Sequence, residues 1–192
     1  MVNTFKNIGP QHADIHDIWF DINNSDIIYS GNDGGVYCSY DGATTFDMVD
    51  NLPLSQYYHV SLDNEEPYNI YGGLQDNGSW YGPSESPGGI EAGDWRPIGG
   101  GDGFRAFRHR TKNIIYSSTY NGEGIYRYDL EKNIINTIQP YQGKGDPKFR
   151  YNWNTPLQVS PNKPDRLYVG NQFLYRSEDM GDTWERISPD LS

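Results

Sequence analysis

Residues 177–184 read SEDMGDTW, and a looser copy, SYDGATTF, stands at 39–46. Both follow a Ser-x-Asp-x-Gly-x-Thr pattern that ends in an aromatic residue, called here the Ser-Asp motif. It consists of Ser177, Asp179, Gly181, Thr183 and Trp184 in one copy, and of Ser39, Asp41, Thr45 and Phe46 in the other, where Ala43 replaces glycine. A motif that occurs twice in one chain indicates an internal repeat.

Four short apolar runs extend this repeat along the whole chain. They are DIIYSG (26–31), YNIYGG (68–73), NIIYSS (113–118) and DRLYVG (165–170), and their tyrosines are spaced 42, 45 and 52 residues apart. A strand-like segment precedes each run and two more follow it, with turn-forming residues between them. Each unit is therefore predicted to be four strands in about 45 residues, the sequence signature of a propeller blade.

We therefore predict an all-β fold, a β-propeller of four-stranded antiparallel blades in a single domain. The predicted blades are 10–53, 54–100, 101–148 and 149–192. Residues 2–8 resemble the fourth strand of a unit and are predicted to be the last strand of a preceding blade. An open ring would expose unpaired strands. We accordingly expect either part of a larger ring, or completion by a homodimer or another partner.

The Ser-Asp motif falls at the turn between the third and fourth strands of its unit. There, Asp, Ser and Thr side chains can accept hydrogen bonds from nearby backbone N–H groups, and glycine permits a positive φ. The aromatic residue is expected to pack between blades. We interpret the motif as a structural turn, in preference to a catalytic site.

Composition excludes several classes of function. The formal net charge is −11, so the phosphate backbone of nucleic acid would be repelled. No segment has the roughly 20 apolar residues of a membrane span. Cys38 is the single cysteine, which precludes an intrachain disulfide. The chain has no Gly-rich phosphate loop, Cys–His nucleophile pair or G-x-S-x-G elbow, and no cofactor is expected.

The blade topology predicts where a site would lie. In an up-and-down blade the start of the first strand and the end of the second share one face, and the first strand lines the channel. Polar groups and aromatics gathered at such a mouth suit a protein, peptide or glycan ligand. The predicted ligand-binding residues are His12, His16, Asp33, Gln75, Asp76, Asn77, Asp102, Tyr120 and Trp153.

Two other interpretations of the mouth residues remain open. If residues 12–16 are extended, His12, Asp14 and His16 share a face and could hold a transition metal; a hydrogen-bonded network is the favoured interpretation, and no metal is expected. A glycoside hydrolase would need two carboxylates at a fixed separation, and its candidates are Asp14, Asp33, Asp76 and Asp102. A sialidase would need an arginine cluster, whereas the mouth segments supply only Arg150, with Arg105 just beyond one of them.

The two Ser-Asp motifs resemble those of the BNR/Asp-box propellers, which include sialidases, xyloglucanases and the sortilin ectodomain. Together with HADIHDIWFD, GNDGGVYCSYDGATTF and GGGDGF, the chain resembles bacterial sortilin-like "glycosyl hydrolase, BNR repeat" proteins. The resemblance implies a propeller fold, an exported protein and members longer than this chain. It implies either a non-catalytic interaction module, the favoured function, or a xyloglucanase-like hydrolase with paired Asp residues. Fold is a poor guide to chemistry.

Overall fold

The computed structural model describes Thr4, residues 6–52 and residues 55–192. Blade 1 consists of β1 (Ile15–Phe20), β2 (Ile28–Asn32), β3 (Gly35–Ser39) and β4 (Asp47–Met48). Blade 2 consists of β5 (His59–Leu62), β6 (Asn69–Leu74), β7 (Gly78–Pro83) and β8 (Arg96–Gly99). Blade 3 consists of β9 (Gly103–Arg108), β10 (Ile114–Thr119), β11 (Ile125–Asp129) and β12 (Ile134–Thr137). Blade 4 consists of β13 (Leu157–Val159), β14 (Leu167–Gly170), β15 (Leu174–Ser177) and β16 (Glu185–Arg186).

Each blade is a four-stranded antiparallel sheet whose strands lie in chain order. This confirms the predicted fold class, an all-β propeller fold of four-stranded blades. The helical structure in the described residues is limited to two 3-10 turns, Ala92–Asp94 and Tyr120–Gly122. None of the helices in this part of the chain is long and apolar enough to cross a membrane.

The chain divides into two compact units, residues 1–55 and 56–192. Unit 1 contains blade 1, and unit 2 contains blades 2, 3 and 4. The predicted single domain and its blade boundaries stay predictions. Residues 2, 3 and 5 of the predicted strand at 2–8 fall outside the described residues, and its four described members, Thr4 and residues 6–8, are not in a strand. That strand therefore stays a prediction as well.

The repeated tyrosines of blades 2 and 3 form the core of unit 2. Tyr71 is buried in a cluster with Ile98, Ala106 and Ile115, between blades 2 and 3. Tyr116 is buried in a second cluster with Leu157, Leu167 and Val169, between blades 3 and 4. Tyr71 and Tyr116 thus each pack against the following blade. Burial of such rings is a main source of stability in small β domains.

In blade 4 the Ser-Asp motif closes the turn between β15 and β16. Ser177 Oγ accepts from Gly181 N at 2.8 Å and donates to Asp179 Oδ1 at 2.7 Å. Asp179 in turn accepts from Thr183 N at 2.9 Å and from Thr183 Oγ1 at 2.6 Å. Gly181 has φ +94°, a conformation that favours glycine. Trp184 packs against the core between blades 3 and 4 and donates to Ile138 O at 2.6 Å.

The copy in blade 1 makes the same set of bonds. Asp41 accepts from Thr45 N at 2.9 Å and from Thr45 Oγ1 at 2.7 Å, and Ala43 N donates to Ser39 Oγ at 3.0 Å. The hydrogen bonds from Thr45 lower the pKa of Asp41 to about 2. Ala43 has φ +66°, so this turn carries backbone strain that glycine would avoid. Phe46 is half-buried.

Blades 2 and 3 approach so closely that glycine is required at their seam. A Cβ added to Gly73 on β6 would lie 2.3 Å from the carbonyl carbon of Gly103 and 2.4 Å from Phe104 N. A Cβ on Gly103 would lie 2.2 Å from Gly78 O. These contacts are with backbone atoms, so no side-chain rotation would relieve them. The seam therefore fixes β9 against blade 2.

We predict that Gly73→Ala lowers the free energy of unfolding by about 1–3 kcal/mol, the usual cost of overpacking a close contact. The control is Gly93→Ala, because a Cβ at Gly93 would meet nothing within 4 Å; its effect should stay within about 0.5 kcal/mol. Urea denaturation of both variants measures the difference. Equal stability of the two variants would contradict the close seam.

Candidate functional site

In unit 2, the loop after the second strand of blade 2 meets the loop before the first strand of blade 3. Asp76 follows β6, and its backbone N–H donates to Asp102 Oδ1 at 2.8 Å, just before β9. Asp76 has φ +58°, and Asp102 is 8 % exposed. Tyr58 donates its hydroxyl to Gln75 Oε1, and Asn77 Nδ2 donates to Gln75 O at 2.9 Å. The structure thus brings Gln75, Asp76, Asn77 and Asp102 together, with Asp102 engaged in holding the loop.

A row of aromatic rings runs beside these polar groups. The rings of Tyr58 and Phe104 are stacked with centroids 4.5 Å apart, and Phe104 meets Trp153 edge to face at 6.0 Å. Trp153 stacks on Tyr120 at 5.2 Å, and Asn121 N donates to Trp153 O at 3.0 Å. Phe104 is fully buried, whereas Trp153 is 44 % exposed. The row therefore includes one ring, that of Trp153, which is partly open to solvent and is held by contacts with Phe104 and Tyr120.

A cleft lies along the first strands of the same three blades. It has a volume of about 530 Å³ and is lined by parts of β5, β9 and β13. At its edge, Asn154 Nδ2 hydrogen-bonds His59 Nε2 at 2.8 Å. Burial and then the charge of Arg105 lower the pKa of His59, against the opposing effect of Asn154. His59 is therefore a neutral hydrogen-bonding group at pH 7.

Deeper in this cleft, one buried carboxylate organises blade 2. Asp63 accepts from Asn69 N at 2.8 Å, from Tyr71 Oη at 2.7 Å and from Arg108 Nη1 at 3.2 Å. Arg108 also pairs with Glu65 at 3.1 Å. Burial acts to raise the pKa of Asp63, but the hydrogen bonds from Asn69 and Tyr71 prevail and lower it to about 2. The charged form of Asp63 is thus favoured by folding.

In unit 1, His16 Nε2 donates to Asp33 Oδ1 at 2.5 Å. One carboxylate oxygen of Asp14 lies within 4.8 Å of one of Asp33. His12 Nδ1 lies 3.2 Å from Ala13 O. The premise of the metal hypothesis is wrong: residues 12–16 are not one extended run, because β1 begins at Ile15 and Asp14 has φ +58°. The alternation that would place His12, Asp14 and His16 on one face is therefore absent.

The two groups of predicted residues lie in different units. The prediction that they share one mouth stays a prediction. Within unit 2, sequence reasoning named Trp153 and Tyr120 but did not select Phe104, His59, Arg105 or Asn154 as ligand-binding residues. The sequence holds one clue to these residues: Phe104 directly follows Gly103, and Asn154 directly follows Trp153. Arg105 had no such signal, because its surroundings depend on the packing of three blades.

Comparison with known proteins gives distant structural likenesses. No protein-family model matches the chain, and no curated protein matches it significantly. Among solved structures it is similar to the GH74 xyloglucanase from Xanthomonas campestris, at 17 % identity and a TM-score of 0.49, over 93 % of this chain and 30 % of that one. It is similar to an auxiliary nutrient binding protein from Bacteroides thetaiotaomicron, at 15 % identity and a TM-score of 0.47, over 91 % and 42 %.

A third similar structure is YCF48 from Cyanidioschyzon merolae, at 16 % identity and a TM-score of 0.40, over 84 % of this chain and 53 % of that one. The chain thus spans less than two thirds of the length of each of these proteins. At such identities, activity and ligand must be argued from the chain's own residues.

The Asp63 cluster predicts a pH dependence of stability. A depressed folded-state pKa contributes stability above the unfolded value, about 3.9, which is lost as pH falls through the folded value. We expect protonation of Asp63 to lower the free energy of unfolding by about 2 kcal/mol as the pH falls from about 5 to about 2. Asp63→Asn should flatten that part of the stability profile in urea denaturation.

The matched control for this prediction is Glu85→Gln. Glu85 is exposed and makes no hydrogen bond or ion pair with the described part of the chain. Its variant should keep the wild-type profile. An Asp63→Asn profile that is as steep as the wild-type one would contradict the role assigned to Asp63.

Proposed function

We propose that the chain is a non-catalytic propeller module that binds a glycan at the mouth of blades 2 to 4. The observation that carries this proposal is the aromatic surface of Trp153, which is 44 % exposed yet fixed by Tyr120 and Phe104. An exposed ring held rigid loses little entropy when a ligand packs on it. The apolar C–H face of a sugar ring suits such a surface.

The polar groups beside the rings support a glycan over a purely apolar ligand. Gln75 and Asp76 are exposed, and Asn77 is half-buried. Side-chain amides both donate to and accept from the hydroxyls of a sugar, and a carboxylate accepts from them. A mixture of aromatic surface and a few fixed polar groups is typical of small-molecule sites. A peptide or protein ligand is the alternative occupant of the same surface.

Membership of the BNR/Asp-box propellers is part of the same proposal. The hydrogen bonds of the two Ser-Asp motifs support it. The proposal of a homodimer or partner-completed ring is supported by the exposed side chains of β1 in unit 1, where Ile18, Trp19 and Phe20 are 44 to 56 % exposed. Apolar residues in a row at this exposure mark surfaces that pack against another element.

We predict that Trp153→Ala weakens glycan binding at least about tenfold, because loss of a stacked aromatic removes on the order of 1.5 kcal/mol. The measurement is calorimetric titration with β-glucan and xyloglucan oligosaccharides and with aryl glycosides. Tyr141→Ala is the matched control, since Tyr141 is 74 % exposed and has no ring contact among the described residues. Equal affinity of both variants would overturn the assigned surface, and failure of every glycan to bind wild type would overturn the function.

A second function, glycoside hydrolysis, is favoured by the pair Asp14 and Asp33 in unit 1. One carboxylate oxygen of each lies within 4.8 Å of the other, which is closer than the roughly 6.5–9.5 Å between the carboxyl groups of inverting glycosidases. Assay of the same aryl glycosides for release of the aryl alcohol tests this function. Turnover that Asp33→Asn abolishes, with the fold intact by circular dichroism, would replace the non-catalytic proposal. Absence of turnover with retained binding supports a binding module.

A further inference from the structure

The cleft along β5, β9 and β13 contains three arginines, and two of them are already engaged. Arg108 pairs with Asp63 and Glu65 at 3.2 and 3.1 Å. Arg110 donates through Nη1 to Pro161 O at 2.6 Å. Arg105 lines the same cleft, and its guanidinium makes no ion pair or hydrogen bond within the described part of the chain. The cleft therefore has one uncommitted positive charge.

The Arg105 guanidinium is also partly removed from water. Its Nε is buried and lacks a hydrogen-bond partner among the described residues. A buried donor on a charged group is costly unless an acceptor meets it. This chain has a net charge of −11, and carboxylates are plentiful, yet none of the described ones pairs with this arginine. The cost is offset when a ligand supplies the anion.

A second unpaired atom belongs to Asn154, which is bonded to the cleft residue His59. Asn154 gives Nδ2 to His59 at 2.8 Å, while its Oδ1 is buried and has no hydrogen-bond partner among the described residues. His59 connects the two groups, because it bonds Asn154 and lines the cleft together with Arg105. The cleft thus has an unused cationic donor among its lining residues, and an unused acceptor on a residue bonded to that lining. A ligand that satisfies both must present an anion and a donor, such as a hydroxyl, close together.

Asn154 directly follows Trp153 in sequence, and Arg105 directly follows Phe104, the ring that meets Trp153, so the backbone of both residues starts beside the aromatic surface of the proposed glycan site. We propose that the cleft binds a hexuronate unit of a glycan. Arg105 donates to the C6 carboxylate, Asn154 Oδ1 accepts from a neighbouring ring hydroxyl, and the sugar face lies near Trp153. This inference rests on the proposed function and specifies the class of its ligand.

The net charge of the chain further restricts the class of glycan that can bind. A chain of uronates would be repelled by the acidic protein as it approaches. A glycan with one uronate among neutral sugars meets the single free cation without that penalty. The site is therefore assigned to an isolated uronate and not to a polyanion.

The test uses two pairs of probes that differ only at C6. They are 4-nitrophenyl β-glucuronide with 4-nitrophenyl β-glucoside, and the corresponding galacturonide with the galactoside. Calorimetric titration of the full chain should show at least one uronide bound about tenfold more tightly than its neutral partner, and added salt should reduce the preference. Arg105→Gln should abolish the preference by weakening the binding of the uronide, and Arg105→Lys should restore part of it.

Arg96→Gln is the matched control. Arg96 is exposed on β8, outside the cleft, and makes no ion pair with a described residue, so its variant should keep the wild-type preference. Equal binding of both members of each pair, or a preference that survives Arg105→Gln, would overturn the uronate assignment and leave the proposed glycan function standing. Binding of none of the four probes would overturn both. Stronger binding of a peptide with a free C-terminal carboxylate than of either uronide would replace the uronate by a peptide.

Discussion

The close approach of backbone at the seam between blades 2 and 3 is the constraint on which the rest of unit 2 depends. Gly73 and Gly103 lack side chains, and this lets β9 lie against β6 at a distance that any Cβ would forbid. The loops on either side are then near enough for Asp76 N–H to reach the buried carboxylate of Asp102. A tight contact between backbones leaves little freedom for the loops that border it.

The candidate site follows from this seam in a few steps. Phe104 directly follows Gly103, and its fully buried ring supports Tyr58 on one side and Trp153 on another. The core tyrosines Tyr71 and Tyr116 hold each blade to the next at greater depth. A rigid scaffold beneath an exposed ring preorganises the surface for a ligand. In many folds the binding residues lie on loops, while the strands supply the stability that positions them.

Much of this fold can be predicted from the sequence because the repeat is written in local residue types. The tyrosine runs at 68–73 and 113–118 coincide closely with β6 and β10, since alternation and flanking turn residues act over a few positions. The break at Asp14 was missed because a positive φ at a single non-glycine residue leaves no periodic trace. The free charge of Arg105 was missed for a different reason. Whether an arginine finds a carboxylate depends on strands that are far apart in sequence, and no local pattern records it.

The central claim is that the exposed face of Trp153, together with the unpaired groups of Arg105 and Asn154, forms one ligand site. An experimental structure of the chain with 4-nitrophenyl β-glucuronide or the galacturonide tests it most directly. We expect a sugar ring against Trp153, with its carboxylate within hydrogen-bond distance of Arg105. A ligand bound elsewhere on the chain, or a sugar at Trp153 with its carboxylate turned away from Arg105 into solvent, would contradict it.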